Sequence, residues 1–174
     1  MYNHQNHVKT KGERPVKSSD IATTKYDIFV EVLCLILLVG TTGYLLAVWQ
    51  NIPDRIVVHY NLAGHINRMA DKTAPMLLFL PAIGWGLYLL VTIVGRFPRL
   101  WNTGVKVTDQ NRQQVYRTLK SMMGTMKLAV VAILSVLNVY GTVVRPLPGW
   151  FLPGALVMML GTLFFFTAQL MKAR

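Results

Sequence analysis

The sequence predicts an all-α, polytopic membrane protein with four transmembrane helices and a structured extracellular loop between the first and second. Three observations predict it. Of the 174 residues, 53% are hydrophobic and only 14% charged, whereas a soluble domain carries about a quarter charged residues. The charges cluster, leaving four long stretches almost free of them. Lys and Arg are shared unevenly between the connecting segments, as the positive-inside rule requires.

Residues 1–26 form a polar, basic segment without hydrophobic periodicity, predicted to be a disordered cytoplasmic tail. Its His4 and His7 read as an incidental pair. The apolar run that follows is longer than the roughly 7–15 residues of a signal-peptide core, so no secretory signal is expected. The first helix is placed at 27–49. From Ile28 to Trp49 there are 22 residues, which rise about 33 Å as a helix. Cys34, the single cysteine, has no disulfide partner and reads as a small hydrophobe. Glu31 lies close enough to the helix start to snorkel to the interface. The second helix is placed at 75–95, with Pro81 expected to kink it. The third is placed at 123–144 and the fourth at 150–171.

The tail contains five Lys and Arg, the segment between spans two and three seven, and the C-terminus two, against four on the other side. Both termini are therefore predicted to be cytoplasmic. The net charge of +11 follows this asymmetry, so nucleic acid is not an expected partner. The inner segment around 108–127 has a capping signal at Thr108 or Asp109, then Val115, Leu119, Met122 and Met126 at helical spacing. It reads as an amphipathic helix lying on the anionic leaflet, or as a docking surface for a cytoplasmic regulator. Gly40, Thr41, Thr42 and Gly43, with Gly154, Ala155, Gly161 and Thr162, are expected to allow close helix approach. Asn138, strongly polar in mid-span, is expected to bond a neighbouring helix.

No H-E-x-x-H, G-x-S-x-G, phosphate-binding glycine loop or cysteine cluster occurs. The reading is therefore non-enzymatic, without cofactor or metal. His59 and His65 are not at a recognised ligand spacing. In the loop between spans one and two, Pro53 ends the first helix and Arg55 to Tyr60 is rich in β-branched residues. Asn61 and Gly64 suit a turn, because Gly tolerates positive φ and Asn bonds locally. Asp71 or Thr73 caps the next helix. The loop reads as a compact strand and turn in which Pro53, Gly64 and Lys72 are structural. His59, Tyr60, Asn61, His65 and Arg68 are the candidate residues for contacting a ligand or partner.

Ile52, Pro53, Asp54, His59, Tyr60, Asn61, Gly64, Asn67, Arg68 and Lys72 together resemble domain of unknown function 1648, over about residues 30–95. That domain also forms the N-terminal part of the SdpI-type immunity proteins of bacteria, and "NRQQVYRTLKSMMGTMKL" is similar to the segment that follows it in relatives. The chain departs at Asn67, where an acidic residue is frequent, at Met69, where an aromatic is usual, and in having four spans where SdpI-type proteins continue further. The resemblance implies a multi-pass bacterial cell-membrane protein with a role in toxin immunity or envelope signalling through the loop. The expected function is an integral membrane binding protein whose partners are membrane lipids, an extracellular peptide or toxin, and a cytoplasmic regulator, with homo-oligomerisation also expected. The alternative is a small membrane transporter or transporter subunit using Glu31.

Overall fold

Thr24 starts the first helix. Its hydroxyl accepts from the Asp27 N–H at 3.1 Å, and the Asp27 carboxylate accepts from the Thr24 N–H at 2.8 Å. This reciprocal box satisfies two of the donors that a helix start leaves open. The computed structural model describes residues 21–173, so the expectations for the tail before them, His4 and His7 included, lie outside the described residues. The elements are α1 (Lys25–Val48), β1 (Arg55–Tyr60), β2 (Ile66–Asp71), α2 (Ala74–Val94), α3 (Arg112–Thr142) and α4 (Phe151–Lys172). All four helices are long and apolar enough to cross a membrane, and the chain is a multi-pass membrane protein. The expected bounds of α1, α2 and α4 fall within two residues of these, and α2 continues as helix through Pro81.

The third helix differs from expectation. At 31 residues it rises about 46 Å, well beyond a hydrocarbon core of about 30 Å. The segment read as a separate amphipathic helix on the leaflet is the first part of this same helix. Its apolar stripe is spent within the chain: Val115 and Leu119 pack with Leu170 and Ala173 of the α4 end, flanked by Trp101 and Val105. The start also lies later than Thr108 or Asp109. Asn111 precedes the helix, its Oδ1 accepting from the Thr108 N–H at 2.7 Å and its Nδ2 donating to the Ala173 carbonyl at 2.9 Å. The start of α3 is thus tied to the end of α4.

α3 is the central helix, packing against α1, α2, α4 and β1. Of the small residues singled out above, Thr42 joins two helices, its Oγ1 accepting from Trp85 Nε1 at 3.2 Å, but the glycines among them are not used for close approach. A Cβ at Gly40, Gly43 or Gly161 would meet nothing within 4 Å, and one at Gly154 would meet only Trp150 of the preceding turn. The tight contacts are elsewhere. A Cβ at Gly84 would stand 3.0 Å from Leu38 Cδ2, and one at Gly141 only 2.9 Å from the Val57 carbonyl oxygen. Backbone meets backbone where α3 touches β1.

The loop is a two-stranded antiparallel hairpin. β1 matches the β-branched run, and β2 occupies residues read as a simple return to helix. Its pairing satisfies backbone groups of β1 that would otherwise be open. Val57 pairs with Met69, His59 with Arg68, and Tyr60 with Ile66, leaving Val58 and Asn67 as the extra residues of two adjacent bulges. The hairpin base is held by Ile52 and Ile56 packed with Leu45 and Leu77.

α3 ends in a reverse turn in which the Arg145 N–H reaches the Tyr140 carbonyl at 3.2 Å. That bond places Val144 at φ 52°, a left-handed conformation usually filled by glycine at this position. A β-branched residue is strained there. Val144→Gly is expected to stabilise the protein by about 1 kcal/mol, seen as a rise of roughly 2–4 °C in the unfolding midpoint in detergent.

Candidate functional site

The hairpin turn is organised by one side chain. Asn61 Oδ1 accepts from the Ala63 N–H at 3.0 Å and the His65 N–H at 2.9 Å. Gly64 follows at φ +81°, the positive value expected from the sequence. Space also restricts this position: a Cβ on Gly64 would lie 3.0 Å from the Leu147 carbonyl oxygen. The Leu147 N–H donates to the Gly64 carbonyl at 2.9 Å, and the Tyr60 hydroxyl donates to the Arg145 carbonyl at 3.0 Å. The hairpin tip is therefore docked on the loop between α3 and α4. Burial pushes the Tyr60 hydroxyl up to about 12, so it keeps its proton, and its role as donor, at neutral pH. At the hairpin base, Lys72 Nζ donates to the Ile52 carbonyl at 2.7 Å and lies 3.4 Å from that of Trp49.

Between the hairpin, α2 and α3 lies a cavity of about 620 Å³, within the range of ligand pockets. Ile56, Met76, Leu77, Phe79, Leu80 and Leu137 supply apolar walls, and His59, Asn67 and Arg68 supply polar groups from the hairpin. Asn138 and Thr142 line it from α3. No Asp or Glu lines it. Asn67 Nδ2 lies 3.2 Å from His59 Nδ1, so the two bulged strands hold these side chains together. Arg68 is exposed and has no carboxylate partner among the described residues. Met76 and Phe79 are 49% and 60% exposed, so the cavity wall is continuous with the apolar face of α2.

The structure divides the sequence-predicted residues into two groups. His59 and Arg68 meet at the cavity. Tyr60 is half-buried rather than freely exposed, and the side-chain oxygen of Asn61 is committed to the turn. His65 stands exposed at the turn, away from the cavity lining. Pro53 precedes β1, and Gly64 and Lys72 hold the hairpin in place. Among the described residues, no three His, Cys, Asp or Glu gather where they could hold a metal.

Sequence reasoning missed Asn67, the contribution of α3, and a second cluster toward the other end of the bundle. Glu31, placed at the interface by its position, keeps a half-exposed side chain, yet it is also engaged by groups of two other helices. Lys127 Nζ lies 2.6 Å from its Oε2, and the Tyr88 hydroxyl donates to Oε1 at 2.5 Å. Lys127 also donates to Thr92 Oγ1 at 3.0 Å and stands 4.6 Å over the Tyr88 ring. The Lys127 side chain is only 5% exposed, although its charge was counted above with an exposed segment. Asn138 differs too. Its Oδ1 is enclosed and bonds no neighbouring helix. A signal for both was present, since Lys127, Val131, Ser135, Asn138 and Thr142 recur at helical spacing and all are buried.

Residues 36–84 match the family described as Domain of unknown function (DUF1648). The matched stretch runs from mid-α1 through the hairpin to mid-α2, so it holds the hairpin side of the cavity, while the α3 wall lies outside it. No curated protein and no solved structure matches the chain.

The Lys127 ammonium is buried and its Glu31 partner half-exposed, so removing the carboxylate strands a buried charge, at a cost of up to about 3–5 kcal/mol. Glu31→Gln is expected to lower the unfolding midpoint sharply. The double variant Glu31→Gln, Lys127→Met is expected to recover most of the loss, because no charge is then stranded. Thermal unfolding of both in one detergent checks this, and a double variant weaker than the single one would contradict it.

Proposed function

We propose that the protein is a non-enzymatic membrane receptor whose hairpin faces the outside and whose cavity binds an anionic amphiphile of the envelope, headgroup against Arg68 and apolar body along α2 and α3. The observation that carries this reading is the uncommitted Arg68 guanidinium at the edge of a cavity with apolar walls and no acidic lining. A guanidinium can meet a carboxylate or phosphate with two parallel bonds. His59, held by Asn67, adds a second polar contact beside it. The exposed apolar α2 surface gives a hydrocarbon tail a route from the bilayer without crossing water.

The distribution of Lys and Arg supports the outward orientation of the hairpin. Toxin immunity, implied by the SdpI-type resemblance, fits the same site if the toxin is itself an anionic amphiphile. A peptide held on the solvent face of the hairpin would depend instead on His65. Transport needs a carboxylate free to take up and release a proton, and both oxygens of Glu31 are engaged by Lys127 and Tyr88.

Two measurements test this. Cysteines introduced at Asn61 and Gln113 are expected to label from opposite sides of intact cells with an impermeant maleimide, Asn61→Cys from outside; labelling from the same side would refute the orientation. Tetradecanoate, titrated calorimetrically into the protein in a non-ionic detergent, is expected to bind saturably. Arg68→Ala should weaken it by about 10- to 100-fold, as loss of a charge-assisted bond does, with normal membrane abundance. Binding that ignores Arg68→Ala but falls with His65→Ala would replace the cavity with the solvent face of the hairpin.

A further inference from the structure

α1 and α4 both pack against α3, and at the end of the bundle away from the hairpin a cleft of about 670 Å³ lies between the three. Its depth follows from α4. That helix has 22 residues and rises about 33 Å, just enough for a hydrocarbon core of about 30 Å, so its last turn reaches the headgroups. Val115 and Leu119 of α3 pack with Leu170 and Ala173 at that turn, which puts Arg117, between them in sequence, at the same level. Arg117 lines the cleft, is exposed, and has no carboxylate partner among the described residues. No Asp or Glu lines it. Asp27 accepts from Ser121 and from the Thr24 N–H, and lines the separate pocket beside Glu31. The guanidinium is joined by four primary amides, those of Gln110, Gln113, Gln114 and Gln169, none of them hydrogen-bonded among the described residues. Phe165 and Phe166, edge to face at 5.2 Å, line the cleft one turn nearer the bilayer centre than Gln169.

We propose that this cleft is a headgroup site for a membrane phospholipid with one phosphodiester and a neutral, hydroxylated headgroup, the chemistry of phosphatidylglycerol. A guanidinium meets a phosphodiester with two parallel charge-assisted bonds, and the single cation in the lining matches a single such charge. An ethanolamine or serine headgroup adds an ammonium, for which the cleft offers no carboxylate. Primary amides both donate and accept, as hydroxyls do, and they carry no charge of their own. The acyl chains leave past Phe165, which is 56% exposed, onto the apolar surface of α4. Basic pockets between membrane helices hold anionic headgroups in this way. The site is independent of the cavity beneath the hairpin, which lies at the other end of the bundle.

The test titrates the full chain, in a non-ionic detergent, with dioleoyl phosphatidylglycerol and dioleoyl phosphatidylmethanol, and reads bound lipid by native mass spectrometry. The two lipids share their acyl chains and their single charge and differ in the headgroup hydroxyls. Wild type is expected to bind phosphatidylglycerol about tenfold more tightly, as hydrogen bonds to those hydroxyls require. Arg117→Ala should weaken both lipids by about 10- to 100-fold. Lys172→Ala removes an exposed cation of the α4 end outside the lining and should change neither by more than about twofold. In the double variant Gln114→Leu, Gln169→Leu the preference should fall to within about twofold, with phosphatidylmethanol still bound. An excess of glycerol phosphate should displace neither lipid, because it has no chain to lie along α4. Equal affinities in wild type overturn the proposal, and that ratio decides the point alone if a variant fails to fold. A loss in Lys172→Ala as large as that in Arg117→Ala also overturns it, because the attraction is then diffuse. If no lipid binds saturably and the spectra show a dimer that Arg117→Ala abolishes, the cleft belongs to a second copy of the chain and the proposal falls.

Discussion

An ammonium group cannot stand alone in hydrocarbon, and the arrangement of three helices follows from how Lys127 avoids doing so. The lysine is on α3, its carboxylate partner on α1, and the hydroxyls that complete the cluster on α2. Each helix contributes a group that is unfavourable in the bilayer by itself and favourable only when the other two are in place. Apolar packing between membrane helices is weakly specific, because lipid chains are as apolar as leucine. The ion pair and its hydroxyls select one register of α1, α2 and α3 among the many that the apolar surfaces would accept. Gly84 against Leu38 and Gly124 against Val30 then bring the same helices into contact above and below it.

The buried face of α3 that starts at Lys127 continues to Thr142, and its polar groups are treated differently at its two ends. Near the termini the charge is fully matched. Thr142, at the hairpin end, satisfies itself on its own helix, while Asn138 is left with an enclosed, unmatched oxygen. A polar group in lipid normally finds a partner inside the protein. The exception lies one turn from the Gly141 contact with the hairpin. A face satisfied throughout would describe a scaffold. One matched at Lys127 and unmatched at Asn138 holds its helices most firmly at the Lys127 end.

Much of this was legible from the chain. Span lengths follow from hydropathy, because a helix must satisfy its own backbone in lipid, and α1, α2 and α4 fall close to where apolar content places them. The turn was legible as well: Asn61 and Gly64 have the local chemistry it needs, and local chemistry survives in any context. What was not legible is long-range. Lys127 was counted with an exposed basic segment because charge counting takes no account of what lies 96 residues away in sequence, where Glu31 waits. The amphipathic stripe of Val115 and Leu119 has the same periodicity whether it meets a leaflet, a regulator or the end of α4. Periodicity shows that a face is covered without showing by what. The small residues of α1 and α4 misled in the opposite way, since Gly40, Gly43 and Gly161 permit close approach but do not compel it.

The position of the hairpin ties these features together. It is fixed at its base by the Ile52, Ile56, Leu45 and Leu77 cluster, at its tip by Tyr60 and Gly64 on the α3–α4 loop, and in the middle by Val57 against Gly141. With three points held, the strands between them have little freedom to sag into the bundle. The bulges at Val58 and Asn67 fall just beyond the Gly141 contact, and a bulge turns the side chains that follow it away from the regular alternation. His59 and Arg68 share a face as direct cross-strand neighbours, and the bulge lets Asn67, next to Arg68 in the chain, line the cavity with them. The width of the cavity at this level is set by how closely β1 can lie on α3. At Gly141 that distance is already too short for a methyl group. Glycine on α3 and two extra residues in the hairpin thus act on the same dimension: one draws the hairpin backbone down onto the helix, and the others raise the polar side chains over the space beside it.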